Sequence, residues 1–375
     1  MEELIAALRG LGHEVHLVGP GAFARASFGH DPKRLGYLKK HVPKPLYELM
    51  ELGYNVLAFL RLYRACRKFR PDFIYERCNL YLLAGVWYKK LAQVPLVLEV
   101  NAPLSRERAL FGGLCWFTLA SILERWVWRN ASFVLPVTRA LASEIHAGGV
   151  PSERITVIPN AIDPYKFLVD TDGTESKREI QLSGKVVLGF VGFVREWHGL
   201  DSVITLLARP TTPAALHLLI VGQGLEKELK EQASTLGVSD RVTFAGLVER
   251  DRMGRYISAF DVALLPACVE YCSPLKLFEY MAAGKAIAAP DQQNIRDIVN
   301  SGESCLLFDP ASRESMMAAV LRLASDAELR EHFGRAARAL ILSRGYTWRH
   351  NAERVTAIAT RGLPREAAQP LSVRQ

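Results

Sequence analysis

Short apolar runs alternate with longer helical patterns, and the alternation starts twice. Residues 15–18, 73–75, 96–100 and 133–135 read as strands, with room for helices over 47–69, 81–91 and 109–128. A second series opens with Val186-Val187-Leu188-Gly189-Phe190-Val191, a continuous apolar strand of the kind buried on both faces. Residues 216–221, 242–244, 262–265 and 286–289 continue it, with helices expected over 201–207, 226–236, 250–258 and 275–283. Strands separated by helices make βαβ units and a parallel sheet. The spacing therefore predicts two α/β domains, 1–165 and 166–345. A helix over 346–362 is expected to pack back on the first domain, and 363–375 to form a disordered tail. The break is expected within 163–185, where the polar, glycine-containing residues 171–176 suit a linker.

The first series opens unusually. Leu4, Ile5, Leu8 and Leu11 have helical spacing at once, whereas a parallel α/β domain ordinarily opens with a strand and a turn. Either the domain begins with a helix, or the chain starts inside its first βα unit.

Charge is unevenly placed. Residues 1–165 hold 21 Lys/Arg against 14 Asp/Glu, and residues 166–375 hold 26 against 25, so +7 of the net +8 belongs to the first half. Its densest cluster, Arg61, Arg64, Arg67, Lys68 and Arg70, falls largely on one helical face beside Leu60, Leu62 and Tyr63. That pattern suits an anionic membrane surface, and a solvated cationic face accounts for it equally well. No nucleic-acid module accompanies the charge. The uncharged run 110–123 is shorter than the ~20 residues of a membrane-spanning helix and reads as a buried or interfacial helix. Six cysteines are too few for a disulfide scaffold and none has metal-site spacing; the pair Cys268/Cys272 reads as buried free thiols. A reducing cytoplasm follows, with a peripheral station on the inner face of the cytoplasmic membrane as an extension.

Three turns in the second half bear on chemistry. Gly192-Phe193-Val194-Arg195-Glu196-Trp197-His198-Gly199 follows a strand and precedes a helix, an arrangement that presents backbone N–H groups and cations to phosphate. Gly222-Gln223-Gly224 is a second, weaker turn of this kind, without the remainder of a dinucleotide fingerprint. In the third, Pro274 fits the first turn of a helix and sets Lys276 and Glu279 on one face. Lys276 can neutralise a diphosphate, and Glu279 can accept from ribose hydroxyls. A Lys–Glu surface pair is the plain alternative, but Glu279 sits within Leu277-Phe278-Glu279-Tyr280-Met281, where a solvated carboxylate is unexpected.

In their order, these segments resemble the retaining glycosyltransferases of family 4. Phe190-Val191-Gly192 through His198-Gly199-Leu200-Asp201 resembles the family's phosphate turn, and Leu219-Ile220-Val221-Gly222-Gln223-Gly224 its following strand. Val242-Thr243-Phe244-Ala245-Gly246 and Phe278-Glu279-Tyr280-Met281-Ala282-Ala283-Gly284 resemble its later blocks, and Val157-Ile158-Pro159-Asn160-Ala161-Ile162-Asp163 its hinge. His13-Glu14-Val15 resembles its early GHeV segment; the similarity covers residues 4–360. The resemblance implies a GT-B fold of two Rossmann-like domains facing each other across a cleft. It implies catalytic roles for Asn101, Arg195, Lys276 and Glu270. Donor-binding roles follow for Gly192, Phe193, His198, Gly199, Gly222, Gly246, Val248, Ser273, Pro274, Leu275 and Glu279.

Three positions depart from the family. Tyr271 stands where its first motif glutamate belongs, with Glu270 one residue away. Phe193 replaces the turn arginine, leaving Arg195 and His198 as candidate cations. Asn101 stands where a histidine often follows the strand, and an amide can hydrogen-bond a hydroxyl but does not act as an acid or base. The chain is thus expected to move a sugar from a nucleotide-diphosphate sugar to a lipid-linked or saccharide acceptor, with retention, in cell-surface polysaccharide biosynthesis. No cofactor and no metal are expected, since no carboxylate segment suggests a Mg²⁺ clamp and Glu249-Arg250-Asp251 has the wrong setting. The alternatives are a catalytically impaired, nucleotide-sugar-binding pseudo-transferase and a GT-B-like nucleotide-sugar epimerase.

Overall fold

The computed structural model describes residues 1–19, 42–167 and 173–361. The chain divides into two compact units, one of residues 1–159 with the chain from Ala352 onward, the other of residues 160–351.

The first unit contains helices α1 (Glu2–Gly10), α2 (Lys44–Phe69), α3 (Ala84–Ala92), α4 (Leu104–Phe111), α5 (Phe117–Asn130) and α6 (Arg139–Ala147). Its parallel sheet runs β1 (Ile74–Arg77), β2 (Leu96–Val100), β3 (Phe133–Pro136) in that spatial order. β2 is the middle strand and its Leu96, Val97, Leu98 and Val100 are wholly buried, which is why this run is apolar on both faces. α2 stops where Arg70 turns left-handed (φ 53°) and donates its N–H to the Cys66 carbonyl, just before Pro71. Thr138 caps α6 by accepting from the Leu141 N–H.

Two expectations fail in this unit. Residues 15–18 form no strand: Leu17 and Val18 are exposed, and the Val15 carbonyl is taken by the Arg9 guanidinium at 3.2 Å instead of a ladder partner. The helix expected over 109–128 is two helices, so the run 110–123 is not one apolar rod. Gly113 adopts φ 71° at the break. The freed backbone there is captured by Glu48, whose carboxylate accepts from the N–H groups of Cys115 (2.6 Å) and Trp116 (3.2 Å). Glu124 likewise accepts from Leu104 and Ser105 at the start of α4.

The second unit contains α7 (Thr174–Glu179), α8 (Leu200–Leu207), α9 (Glu226–Thr235), α10 (Met253–Ser258), α11 (Leu275–Ala282), α12 (Gln293–Arg296), α13 (Arg313–Ser325) and α14 (Ala327–Ser343). Its strands are β4 (Val186–Val191), β5 (Leu216–Val221), β6 (Val242–Gly246), β7 (Val262–Leu264), β8 (Ala286–Pro290) and β9 (Leu306–Phe308), all parallel, in the order β6-β5-β4-β7-β8-β9. Leu188 and Phe190 enter the core on one face of the sheet, and Val187 and Val191 the core on the other. Both faces of β4 are thereby covered, and its sequence carries no polar alternation.

The units divide at 159/160 and not within 163–185, because Asn160 is tied to the second unit. Its N–H donates to Ser273 Oγ (3.1 Å) and its amide to the Ser273 carbonyl (2.7 Å). Within the expected linker, residues 174–179 are the helix α7, anchored by Lys177 on Asp261 (2.6 Å) and the Lys185 carbonyl (3.1 Å). A helix α15 (Trp348–Thr360) closes the described chain; its Val355, Ile358 and Ala359 pack with Val97, Leu135 and Ile158 in the first unit's core. The tail expected over 363–375 lies outside the described residues.

Candidate active site

The order β6-β5-β4-β7-β8-β9 reverses direction at β4/β7, and in open parallel sheets the crevice beyond the carboxyl ends of strands at such a reversal binds ligands. The turns leaving β4 and β7 bring most of the expected second-unit residues there.

Glycine makes the floor of this crevice. Gly192, Gly222 and Gly224 have φ of 126°, 138° and 104°, backbone that side chains rarely tolerate. Any β-carbon on Gly222 would overlap the Gly192 carbonyl, and one on Gly224 the Val194 carbonyl. Hydrogen bonds from Gly192 N–H to Val221 O (2.9 Å), Gly222 N–H to Gly246 O (2.8 Å) and Val194 N–H to Gln223 O (2.7 Å) lace the three turns together. Gly246 (φ 67°) thus braces the floor, and Gly199 (φ 64°) starts α8.

Lys276 reaches over this floor from the first turn of α11. Its Nζ lies 4.2 Å from the centroid of the Phe190 ring, and a β-carbon on Gly192 would sit 3.2 Å from it. Burial pushes the ammonium down to about 8, with Cys268, Glu279 and Cys272 opposing. An ammonium so desolvated, standing over the glycine floor, favours an anion as its partner. Glu279, one turn later, is pushed above the usual carboxylate range by burial, against the pull of Arg250 and Lys276. The pair is therefore not a solvated surface contact.

His198 is not the cation that the sequence suggested. Burial, with Lys276 and Arg195 nearby, pushes its imidazole down to about 4, so it is neutral at pH 7. Its Nδ1 accepts from the Arg195 N–H (3.0 Å), which places the ring proton on Nε2 as a neutral donor. The Arg195 guanidinium lies 5.8 Å from the Trp197 ring centroid, and Phe193 is exposed beside them.

Other expected residues take different parts. Ser273 is buried and its hydroxyl oxygen is engaged by Asn160, making it a brace for the loop after β7. Glu270 is exposed in the turn Val269–Cys272, closed by the Cys272 N–H on the Val269 carbonyl. Pro274 caps α11, Leu275 is exposed, and Val248 packs against the core beneath β6. Cys268 and Cys272 are half-exposed and adjacent, not buried thiols.

Asn101 belongs to the first unit, at the carboxyl end of β2. Its amide donates to Glu99 Oε1 (2.5 Å), Tyr75 donates to Glu99 Oε2 (2.7 Å), and Arg77 Nε stands 3.6 Å from the same carboxylate. The register Arg77↔Glu99 sets this cluster. Sequence reading missed Glu99, whose signal was a carboxylate inside an apolar strand. It missed Tyr280 for a similar reason. That buried hydroxyl receives the Val191 N–H (3.0 Å) and joins β4 to β7 at the reversal.

Both units match known family models: "Glycosyl transferase 4-like domain" over residues 1–161 and "Glycosyl transferases group 1" over 172–340. The chain belongs to the family-4 glycosyltransferases. The chain is similar to the 2-deoxystreptamine N-acetyl-D-glucosaminyltransferase of Streptomyces fradiae, 26% identical over 342 residues, covering 85% of this chain and 78% of that one. HepE of Anabaena, solved in complex with UDP, superposes with a TM-score of 0.68 at 20% identity over 80% of this chain and 81% of its own. WaaG, a glycosyltransferase involved in lipopolysaccharide biosynthesis, gives 0.66 at 15% identity over 94% of each chain. These superpositions make the glycosyltransferase fold GT-B, with the Rossmann-like units described above.

Proposed function

We propose that this glycosyltransferase moves a hexosyl group, with retention, from a nucleoside-diphosphate sugar to a lipid-linked or saccharide acceptor in cell-surface polysaccharide assembly. The observation that carries the donor half is the placement of Lys276 against Gly192, with Glu279 one turn behind it. The UDP named in the HepE structure and the lipopolysaccharide role of WaaG support the reading.

In the proposed reaction the glycine turns and the α8 and α11 N-termini receive the diphosphate, and Glu279 accepts from the ribose hydroxyls. Lys276 and Arg195 stabilise the charge that develops on the leaving phosphate as the glycosidic C–O bond breaks. The acceptor hydroxyl attacks the anomeric carbon from the face the diphosphate leaves, and its proton passes to the departing phosphate oxygen. No protein nucleophile and no metal take part. Asn101, held by Glu99, positions the acceptor.

The proposed station is an anionic membrane surface on the cytoplasmic side. No helix among the described residues is long and apolar enough to cross a membrane. α2 nevertheless exposes Leu46, Leu49, Met50, Val56, Leu57 and Leu60 along one stripe, and continues it with the exposed cations Arg64, Arg67 and Lys68. An open groove of about 600 Å³ lies alongside, lined by Leu49, Leu52 and residues 115–119.

Calorimetry with UDP and UDP-sugars tests the donor site. Lys276→Ala and Glu279→Ala, each folded by circular dichroism, should lose donor binding, and unchanged affinity in both would sink the assignment. Anomeric NMR of the product tests retention, and an inverted linkage would exclude it. EDTA is expected to leave turnover unchanged.

A further inference from the structure

The loop between β7 and α11 holds two thiols that the transfer reaction does not use. Cys268 and Cys272 stand with their Sγ atoms 2.9 Å apart, both half-exposed. Their approach is built by the loop. The Cys272 N–H closes a turn on the Val269 carbonyl, and the buried Asn294 of α12 pins that turn from the other side. Its amide donates to the carbonyls of Val269 (3.1 Å) and Cys272 (2.8 Å) and reaches Cys268 Sγ at 3.5 Å. Cys66, Cys78 and Cys305 are buried, and Cys115 is exposed in the other unit. The hydrogen bond from Cys272 holds the Cys268 thiol below its ordinary range against burial, helped by Asn294 and Lys276, which favours the thiolate form that reacts.

We propose that Cys268 and Cys272 are a reversible dithiol–disulfide site that sets the nucleotide affinity of the neighbouring donor site. This rests on the donor reading above. With hydrogen peroxide as oxidant, the Cys268 thiolate attacks one peroxide oxygen, the O–O bond breaks, the leaving hydroxide takes a proton, and a sulfenic acid and one water result. Cys272 then attacks the sulfenic sulfur and displaces a second water, leaving the S–S bond. Two thiols are oxidised by two electrons, and one hydrogen peroxide is reduced to two waters. A small dithiol reverses the step by exchange.

The coupling to the donor follows from distance along the chain. Bonding draws the sulfurs from 2.9 Å to about 2.05 Å and retensions a loop that runs through Ser273 and Pro274 into the first turn of α11, where Lys276 stands. Misplacement on this scale weakens a positioned charge contact. The oxidised form should bind a nucleoside diphosphate about tenfold more weakly, and bound nucleotide should by linkage disfavour oxidation by the same factor.

The test uses the full chain and UDP. Reduced protein is titrated calorimetrically, treated with hydrogen peroxide, and titrated again. Trypsin cutting after Arg255 and Lys276 releases both cysteines in one peptide, whose loss of two hydrogens reports the bond. The expected result is that mass change with a weaker Kd, reversed by dithiothreitol and slowed by UDP. Cys272→Ser should bind UDP as the reduced protein does and keep that affinity in peroxide. A peptide that keeps both thiols, a disulfide with unchanged Kd, or a peroxide response that persists in Cys272→Ser would each overturn the proposal. Reduced protein that fails to bind UDP at all would instead count against the donor reading, and the peptide mass would still decide whether the disulfide forms.

Discussion

The α-carbon of Gly222 packs directly on the carbonyl of Gly192, so the turns that leave β5 and β4 interlock through the absence of a side chain. With φ at 138°, Gly222 is also in a region that alanine adopts only under strain. Gly222→Ala should cost at least ~2 kcal/mol, combining backbone strain with displacement of the Gly192 turn. Thermal denaturation should show a Tm several degrees lower, and the Tm rise that UDP gives the parent should vanish. A variant with parent-like Tm and UDP response would show that the turns are not coupled.

Lys276 makes donor affinity pH-dependent. Its ammonium titrates near 8 in the free protein, and a bound diphosphate favours the charged form. Affinity should be full below pH 8 and fall by up to about tenfold per pH unit above it, until the raised pKa of the complex is reached. The break should be missing from Lys276→Met. Stability runs the other way. The folded pKa lies below the unfolded one, so the unfolded state binds more protons between about 8 and 10.5, and stability rises with pH across that window. Lys276→Met should therefore be at least as heat-stable as the parent at pH 7 while failing to bind UDP. If it unfolds instead, the lysine serves the fold and not the ligand.

Two histidines set an acid limit. His198 and His217 are both pushed down to about 4, chiefly by burial. Each folded pKa is below the unfolded value of about 6.5, so their contribution is full above that pH and is lost as pH falls toward 4. Denaturant midpoints should drop between pH 6.5 and 4, and the His198 ring resonances should titrate near the lower end of that range. His198→Ala additionally leaves the Arg195 N–H without its acceptor, at about 1–3 kcal/mol, whereas His198→Asn offers a replacement oxygen. Equal losses in the two variants would argue against the Nδ1 contact.

β2 and β4 were the plainest strands in the sequence, because burial on both faces writes a continuous apolar run. The glycine turns were legible for a related reason: close backbone approach excludes side chains. Features fixed by distant partners were not. The break between α4 and α5 depends on Glu48, 67 residues before Cys115, and nothing near 112–116 announces that carboxylate. His198 read as a cation because its residue type says nothing of its burial. Residues 15–18 have strand-like composition, yet the Val15 carbonyl goes to Arg9. The pair Cys268/Cys272 read as buried free thiols because nothing beside it announces Asn294, 22 residues past Cys272, which holds their loop.

The stripe on α2 gives the remaining prediction. Leu49, Leu57 and Leu60 are 42–55% exposed on a helix whose residues 52–69 carry four cations and no anion. A soluble monomer rarely exposes so contiguous an apolar face. An anionic bilayer satisfies both halves of it, since the leucines insert and the cations meet headgroups at about 1 kcal/mol each. A second copy of the chain would satisfy the apolar half alone, because cations lie beside it on both copies. Sedimentation with phosphatidylglycerol vesicles should therefore bind the protein, more weakly in high salt and hardly at all with neutral phosphatidylcholine. Arg64→Glu with Arg67→Glu should abolish the salt-sensitive part, and Leu49→Glu with Leu57→Glu should abolish binding altogether, while calorimetric UDP affinity stays at the parent value. Salt-insensitive binding, or a concentration-dependent dimer that the leucine variants dissociate, would assign the stripe to another copy of the chain.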